Sequence, residues 1–330
     1  MVDRTFPLLL LPYLALCNLL DYFSLNELIR FSFCSERTQR IASRKPKGEV
    51  EIILKAKTQP EFIVRLNNNE THKFDILGNR ALLSTPTAKP TPIAGTIVPT
   101  RTILSYTATF WTDAVQGIDR VGTYLTELLK TPVTELRIVS EKKENDMISI
   151  IDSVKSRQNS VGKCFFGQND HTNRSLTHLL SNLEITDDFN LDAMPSYYFR
   201  FVWSLKYVTL TVSFGRWLTV EHLMNMNCQY VDIQRTNIGS EDLNQFLKHW
   251  QNGGCSSLKF LQLSVSPSML ANIIEGIEAE QIPDTTSRLY TGHNGEPIRK
   301  SGGHDIKRRD GTIGTVFFTP QSSFQFAVQL

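Results

Sequence analysis

Cys164, His171 and His178 come nearest to a metal-ligand set in this sequence, at steps of seven residues. Zinc motifs bring paired ligands about two to five residues apart and need a fourth donor, which is missing here. Both histidines therefore read as surface or core residues. Asp187, Asp188 and Asp192 cluster, yet they lack the glycine and closing glutamate of a calcium loop, so a solvated turn is expected. No GxSxG, HExxH, P-loop or GxGxxG occurs, and Ser301-Gly302-Gly303-His304 has no strand-to-helix context that would cradle a nucleotide. No enzyme, cofactor or metal is expected. What remains is chemistry of recognition. Lys307-Arg308-Arg309 is a short basic run that can read phosphate or an acidic peptide, although charge protecting a hairpin edge is the plainer account. Of the four tryptophans, Trp250 lies on an apolar helix face. Trp217 follows Phe214-Gly215-Arg216 just after a strand pattern. Trp and Arg carry most of the energy in protein interfaces, so Phe214, Arg216 and Trp217 are the expected contacts for a partner protein.

The elements that must present such residues begin at the N-terminus. Pro12 suits the first turn of a helix. Leu16, Leu19, Leu20 and Phe23 follow at i, i+3, i+4 and i+7, giving that helix one apolar face. Ser24-Leu25-Asn26-Glu27 is a capping box that opens a second helix carrying Leu25, Leu28, Ile29 and Phe31. Ser35 can cap a third, with Ile41 and Ala42 inside and Arg37, Arg40 and Arg44 outside. The segment is too short and too apolar to bury its own side chains, so a partner surface is expected.

The ordered set Leu11-Pro12, Leu16, Leu19-Leu20, Phe23, Leu25, Glu27-Leu28, Arg30, Ser32 and Cys34 resembles the F-box. The resemblance implies three helices that lay an apolar face on a Skp-type adaptor and, through it, join a cullin–RING ubiquitin ligase. It assigns Leu11, Pro12, Leu16, Leu19, Leu20, Leu25, Leu28, Ile29 and Cys34 to that contact. The tryptophan common on the third helix is absent; Thr38-Gln39 stands there. Phe246-Leu247-Lys248-His249-Trp250-Gln251-Asn252-Gly253-Gly254, Asp305-Ile306-Lys307-Arg308-Arg309-Asp310-Gly311-Thr312 and Phe6-Pro7-Leu8-Leu9 extend the resemblance to nematode F-box proteins carrying a type-2 F-box-associated domain. That implies a non-catalytic substrate receptor that binds an unknown target through its C-terminal domain. Two other readings stay open. One is a leucine-rich-repeat-like interaction module with a non-ligase role. The other is an extracellular repeat protein whose signal peptide is the apolar run 6–17 behind Arg4. Pro7 and Pro12 interrupt that run, and the amphipathic pattern continues to Phe33.

At 330 residues, with 41% hydrophobic and 21% charged residues, the chain suits a globular protein of two or three units. A net charge of +2 points to neither nucleic acid nor a membrane surface, and no apolar run approaches a membrane span. Cys17, Cys34, Cys164, Cys228 and Cys255 are odd in number and form no CxxC, which suits a reducing, intracellular compartment, cytoplasmic or nuclear.

Residues 49–57, 61–66 and 71–77 alternate as strands, so a small β meander is expected over 49–83. Pro86, Pro90, Pro92 and Pro99 mark 84–104 as a Pro/Thr-rich loop. Beyond it, 105–330 reads as the associated domain. Strand cores at Leu136-Arg137-Ile138, Leu183-Glu184-Ile185, Val208-Thr209-Leu210, Val231-Asp232-Ile233 and Leu261-Gln262-Leu263 alternate with helices, with Cys164-Phe165-Phe166 as a further strand. Their spacing resembles leucine-rich repeats over about 121–280. Asp310-Gly311 signals a hairpin within 304–330 that caps the end of the stack. The fold class is α/β, α+β overall: a three-helix F-box over 1–48, then an irregular repeat-like stack with antiparallel strands at its ends.

Overall fold

Short-range capping sets the first three helices. The Glu27 amide donates to Ser24 Oγ at 3.3 Å and the Ser24 amide donates to Glu27 Oε2 at 2.8 Å, closing the box that starts α2 (Leu25–Ser32). α1 (Tyr13–Asp21) begins after Pro12, whose missing N–H costs nothing at a helix start. Ser35 caps α3 (Glu36–Ala42), accepting from the Thr38 amide at 3.2 Å. The computed structural model describes residues 8–44, 48–84, 87–139, 144–168, 173–196, 199–201, 206–265, 269–292, 296–319 and 323–329. The chain divides into two units, 1–161 and 162–330.

In the first unit β1 (Val50–Ala56), β2 (Glu61–Leu66) and β3 (Thr71–Gly78) form the expected antiparallel meander. It is embedded in a larger sheet. β4 (Lys89–Ile93), β5 (Thr96–Ile103) and β6 (Tyr106–Trp111) follow, then α4 (Ala114–Leu129), β7 (Glu135–Val139) and α5 (Glu144–Lys155). The strand order is β7-β1-β2-β3-β6-β5-β4, with β7 parallel to β1 and β6 parallel to β3. α4 buries Ile118, Val121, Leu125 and Leu128. It lies so close to the sheet at Gly117 that an added Cβ would stand 2.7 Å from Ile76 and 2.9 Å from Trp111.

Two expectations are corrected here. The Pro/Thr-rich stretch 84–104 carries β4 and β5 rather than a loop. Pro90 and Pro92 are tolerated because β4 is the last strand of the order, and Pro90 faces Pro99 at a point where β5 has no register with β6; Pro86 lies outside the described residues. A residue without an N–H is permitted where no ladder bond is required. The divisions at 48, 83 and 104 also fail to coincide with a unit boundary, because the helices, the meander and β4–β6 share one sheet-based core ending near residue 161.

In the second unit β8 (Ser160–Gln168), which begins at the boundary, and α6 (Asn173–Asn182) precede β9 (Glu184–Ala193) and β10 (Thr209–Val212). α7 (Val220–Met224), β11 (Tyr230–Ile233), α8 (Ser240–Gln251), β12 (Phe260–Ser264) and α9 (Leu270–Ile273) come next. β13 (Ala279–Thr291), β14 (Pro297–Lys307), β15 (Ile313–Thr319) and β16 (Ser323–Val328) close the chain. The order is β8-β9-β10-β11-β12-β16-β15-β14-β13. β9 to β12 are parallel, and β16 pairs antiparallel with β12, so the C-terminal strands cover the open edge of the parallel set. α8 holds Trp250 fully buried, 4.8 Å from the Phe326 ring. The strand at Leu136-Arg137-Ile138 belongs to the first unit as β7, so the region 121–280 straddles the boundary.

Candidate functional site

The N-terminal helices are seated within the first unit. α2 packs on β3 and α3 on α4. Phe33 stacks on Tyr124 with centroids 5.4 Å apart and meets the edge of Phe74 at 6.3 Å. The Ser32 and Tyr124 hydroxyls share a short buried hydrogen bond, and Ser32 Oγ also donates to the Ile29 carbonyl at 2.6 Å. Burial pushes the Tyr124 phenol well above its ordinary range. Glu70 Oε2 accepts from the Leu25 amide at 2.7 Å, and Arg30 donates to the Leu104 carbonyl at 3.3 Å. His72 bridges Asn26 Oδ1 at 2.7 Å and Thr107 Oγ1 at 2.9 Å. Its pKa is pushed down to about 4, first by burial and then by the charge of Arg30, so it holds this seam as a neutral imidazole at neutral pH.

This seating divides the nine residues that the F-box resemblance assigned to the adaptor. Leu16, Leu20, Leu25, Leu28 and Ile29 are buried by the unit itself. Leu11 and Leu19 are half-buried, and Pro12 and Cys34 are exposed. The free apolar surface is carried largely by residues that the periodicity did not single out. Leu10 is 80% exposed, Leu14 75% and Tyr22 86%; Tyr13 is 49% exposed and lies under the Arg44 guanidinium, 5.5 Å from its ring centroid. The signal was present in Leu10, Tyr13-Leu14 and Tyr22: apolar residues at both ends of α1 that fall outside its Leu16 and Leu20 face. An amphipathic helix covering only its own core has no use for apolar residues there.

A second arrangement lies at the carboxyl ends of three adjacent parallel strands, β9, β10 and β11. A cavity of about 330 Å³ is lined by Met194 and Pro195 after β9, by Phe214, Arg216 and Trp217 after β10, and by Arg235 after β11. Gly215 permits this closeness: its amide donates to the Gln234 carbonyl at 2.8 Å, and an added Cβ would stand 2.4 Å from Ile233 Cγ2. Phe214 is half-buried beneath the Arg235 guanidinium, 4.4 Å from the ring centroid, and Arg216 is exposed. Trp217 corrects the sequence reading. It is 4% exposed and meets Phe199 edge-on at 5.2 Å, so it forms a wall of the cavity and cannot project as an anchor. Arg235 was missed. Val212 and Ile233 are register partners, so Phe214 and Arg235 stand two residues beyond them at matching positions.

Other groupings do not converge on chemistry. Among the described residues, no three His, Cys, Asp or Glu side chains gather as a metal set. His171 lies outside the described residues, and His178 bonds within α6 to Asn182. Asp187, Asp188 and Asp192 sit along β9 rather than in a turn, with Asp188 paired to Lys163 at 3.2 Å. Arg308 is buried: it donates to the Gly253 carbonyl at 2.9 Å and stacks on Trp250, a packing role for the middle of the basic run. Among the described residues no helix is long and apolar enough to cross a membrane.

Residues 8–49 match the model for the F-box domain, which spans the three helices and their exposed strip. Residues 198–263 match the model described as F-box associated, which spans β10 to β12 and holds Phe214, Arg216, Trp217 and Arg235. The chain carries an F-box and an F-box-associated domain. Two Caenorhabditis elegans proteins are similar to it, consistent with the nematode resemblance. Skn-1 dependent zygotic transcript 15 protein is 28% identical over 109 residues, covering 32% of this chain and 30% of its own length. Uncharacterized protein F59B2.9 is 24% identical over 165 residues, covering 47% of this chain and 38% of its own length. The matches thus span about a third of the length of these curated relatives. No solved structure matches the chain.

Proposed function

We propose that this F-box protein is the substrate-recognition subunit of a Skp-cullin-F-box ubiquitin ligase. One observation carries the reading: the F-box helices have their inner side filled by their own unit and still present Leu10, Tyr13, Leu14 and Tyr22 to solvent. A concentrated apolar surface on a folded element is what a partner interface uses. Leu11, Pro12, Leu19 and Cys34 lie at the surface of the same helical segment, while Leu16, Leu20, Leu25, Leu28 and Ile29 hold the helices in shape from beneath. A Skp-type adaptor is the occupant, with a cullin–RING ligase beyond it. The second unit, taken as an irregular repeat-like α/β stack, holds the target protein around Phe214 and Arg216. The receptor contributes proximity and orientation rather than covalent chemistry and needs no cofactor. Five free cysteines suit an intracellular setting, cytoplasmic or nuclear.

Co-expression with a Skp-type adaptor, followed by size-exclusion chromatography and mass determination, tests this. A stoichiometric complex that also recruits a cullin–RING module supports the reading. A chain that elutes alone, although folded, sinks it.

A further inference from the structure

We infer that the cavity at the ends of β9, β10 and β11 binds an acidic segment of a partner polypeptide. One apolar side chain seats against Trp217, Phe214 and Met194, and neighbouring Asp or Glu carboxylates bond to Arg216 and Arg235. The inference rests on the receptor reading above and supplies the chemistry of the target.

Position is the first support. Loops that follow the carboxyl ends of parallel strands commonly carry binding residues on a rigid sheet, and β9, β10 and β11 stand side by side in chain order, so their three loops leave from one end. Here the loops after three neighbouring strands contribute to one concavity, and its floor is aromatic. An apolar side chain placed on that floor leaves water and keeps contact with Trp217, whose own position is set by Phe199 and by the His222 ring at 5.8 Å.

Charge is the second support. Among the described residues, two guanidinium groups line the cavity and no carboxylate does. Among the described residues neither Arg216 nor Arg235 forms an ion pair with the chain's own acids. With a net charge of only +2 over the whole chain, two unneutralised arginines beside one cavity mark a local preference. They come from two separate loops and so match two carboxylates spaced along an extended segment. Arg235 is held through its face by the Phe214 ring. A guanidinium stacked in this way keeps its N–H bonds in its own plane, available as a fork to a carboxylate.

Rigidity is the third support. The Ser196 amide donates to Asn173 Oδ1 at 3.0 Å and Asn173 Nδ2 donates to Ser196 Oγ at 2.6 Å, tying the loop after β9 to α6. Asn237 Nδ2 donates to the Arg216 carbonyl at 3.2 Å, tying the loop after β10 to the loop after β11. Loops already held in place lose little freedom when a peptide docks.

The test is selection from a random dodecapeptide library on the full chain co-purified with a Skp-type adaptor, followed by affinity measurement on the selected peptides. The expected winners place an apolar residue next to two or more Asp or Glu residues. Their affinity should fall by about tenfold or more in an Arg216→Ala, Arg235→Ala variant that melts like the parent, and should weaken with added salt. Arg216→Ala alone, at an exposed side chain, serves as the milder variant and should lose part of that affinity. Winners without acidic enrichment, equal affinity on parent and variant, or binding confined to phosphoserine versions of the peptides would each overturn the inference. Loss of the adaptor from the parent chain counts against the receptor reading instead, so the two failures are distinguishable.

Discussion

Replacing Leu10 and Leu14 together by Ala is expected to weaken adaptor binding about a hundredfold and leave the fold unchanged. Burying a leucine side chain stabilises by about 1.5–3 kcal/mol. Leu10 and Leu14 are 80% and 75% exposed in the free chain, so most of that remains for a partner to claim. Truncation to Ala removes three of the four side-chain carbons, which sets the loss at about 1.5 kcal/mol per site, or about 3 kcal/mol for the pair. The buried pair behaves in the opposite way. Leu16 and Leu20 are almost wholly covered by their own unit, so each change to Ala opens a cavity and costs about 2–5 kcal/mol of stability. Isothermal titration against purified adaptor reads the first effect, and the urea midpoint reads the second. Unchanged affinity in the Leu10→Ala, Leu14→Ala protein would refute the assignment of the exposed strip. So would a Leu16→Ala, Leu20→Ala protein that loses affinity with no change in its urea midpoint.

Three further outcomes follow from the packing. His72 protonates near 6.5 when unfolded and only near 4 when folded, so the unfolded chain binds more protons between those values. The His72 contribution to stability is therefore level above about pH 6.5 and falls as pH drops toward 4, by up to about 3 kcal/mol; the slope of urea midpoints across this window should lessen in His72→Gln. Trp217→Ala should cost about 3–5 kcal/mol because the ring is buried, whereas Arg216→Ala should stay within about 0.5 kcal/mol, as calorimetric melting of the two will report. Tyr124→Phe removes the phenol shared with Ser32 and should cost about 1 kcal/mol by urea unfolding, the loss being limited because Ser32 keeps the Ile29 carbonyl as acceptor.

The three helices were legible because their signals are local. Ser24 with Glu27 and Ser35 with Thr38 make their bonds within four residues, and the structure contains both. The direction of the helix faces was not legible. Leu16, Leu20 and Leu28 look partner-facing when the segment is judged too small to shelter them, but the helices rest on Phe74 and Tyr124, which arrive much later in the chain. The prolines of 84–104 misled for a related reason, since Pro argues against a strand only where a ladder bond is needed, and edge positions are set by the whole sheet. β13 hid because Pro283 interrupts its alternation, at the place where its pairing with β14 shifts register between Ile282 and Ser287. In the cavity, Phe214 and Arg216 stood out by residue type. Arg235 becomes visible only once Val212 and Ile233 are known to be neighbours.

Hydrogen–deuterium exchange of the full chain, with and without a purified Skp-type adaptor, tests the central assignment most directly. The adaptor should slow exchange across 8–22, where Leu10, Tyr13, Leu14 and Tyr22 lie, and leave 206–239 unchanged. Exchange that stays the same over 8–22 in a chain saturated with adaptor, or protection that falls on 206–239 instead, would contradict it.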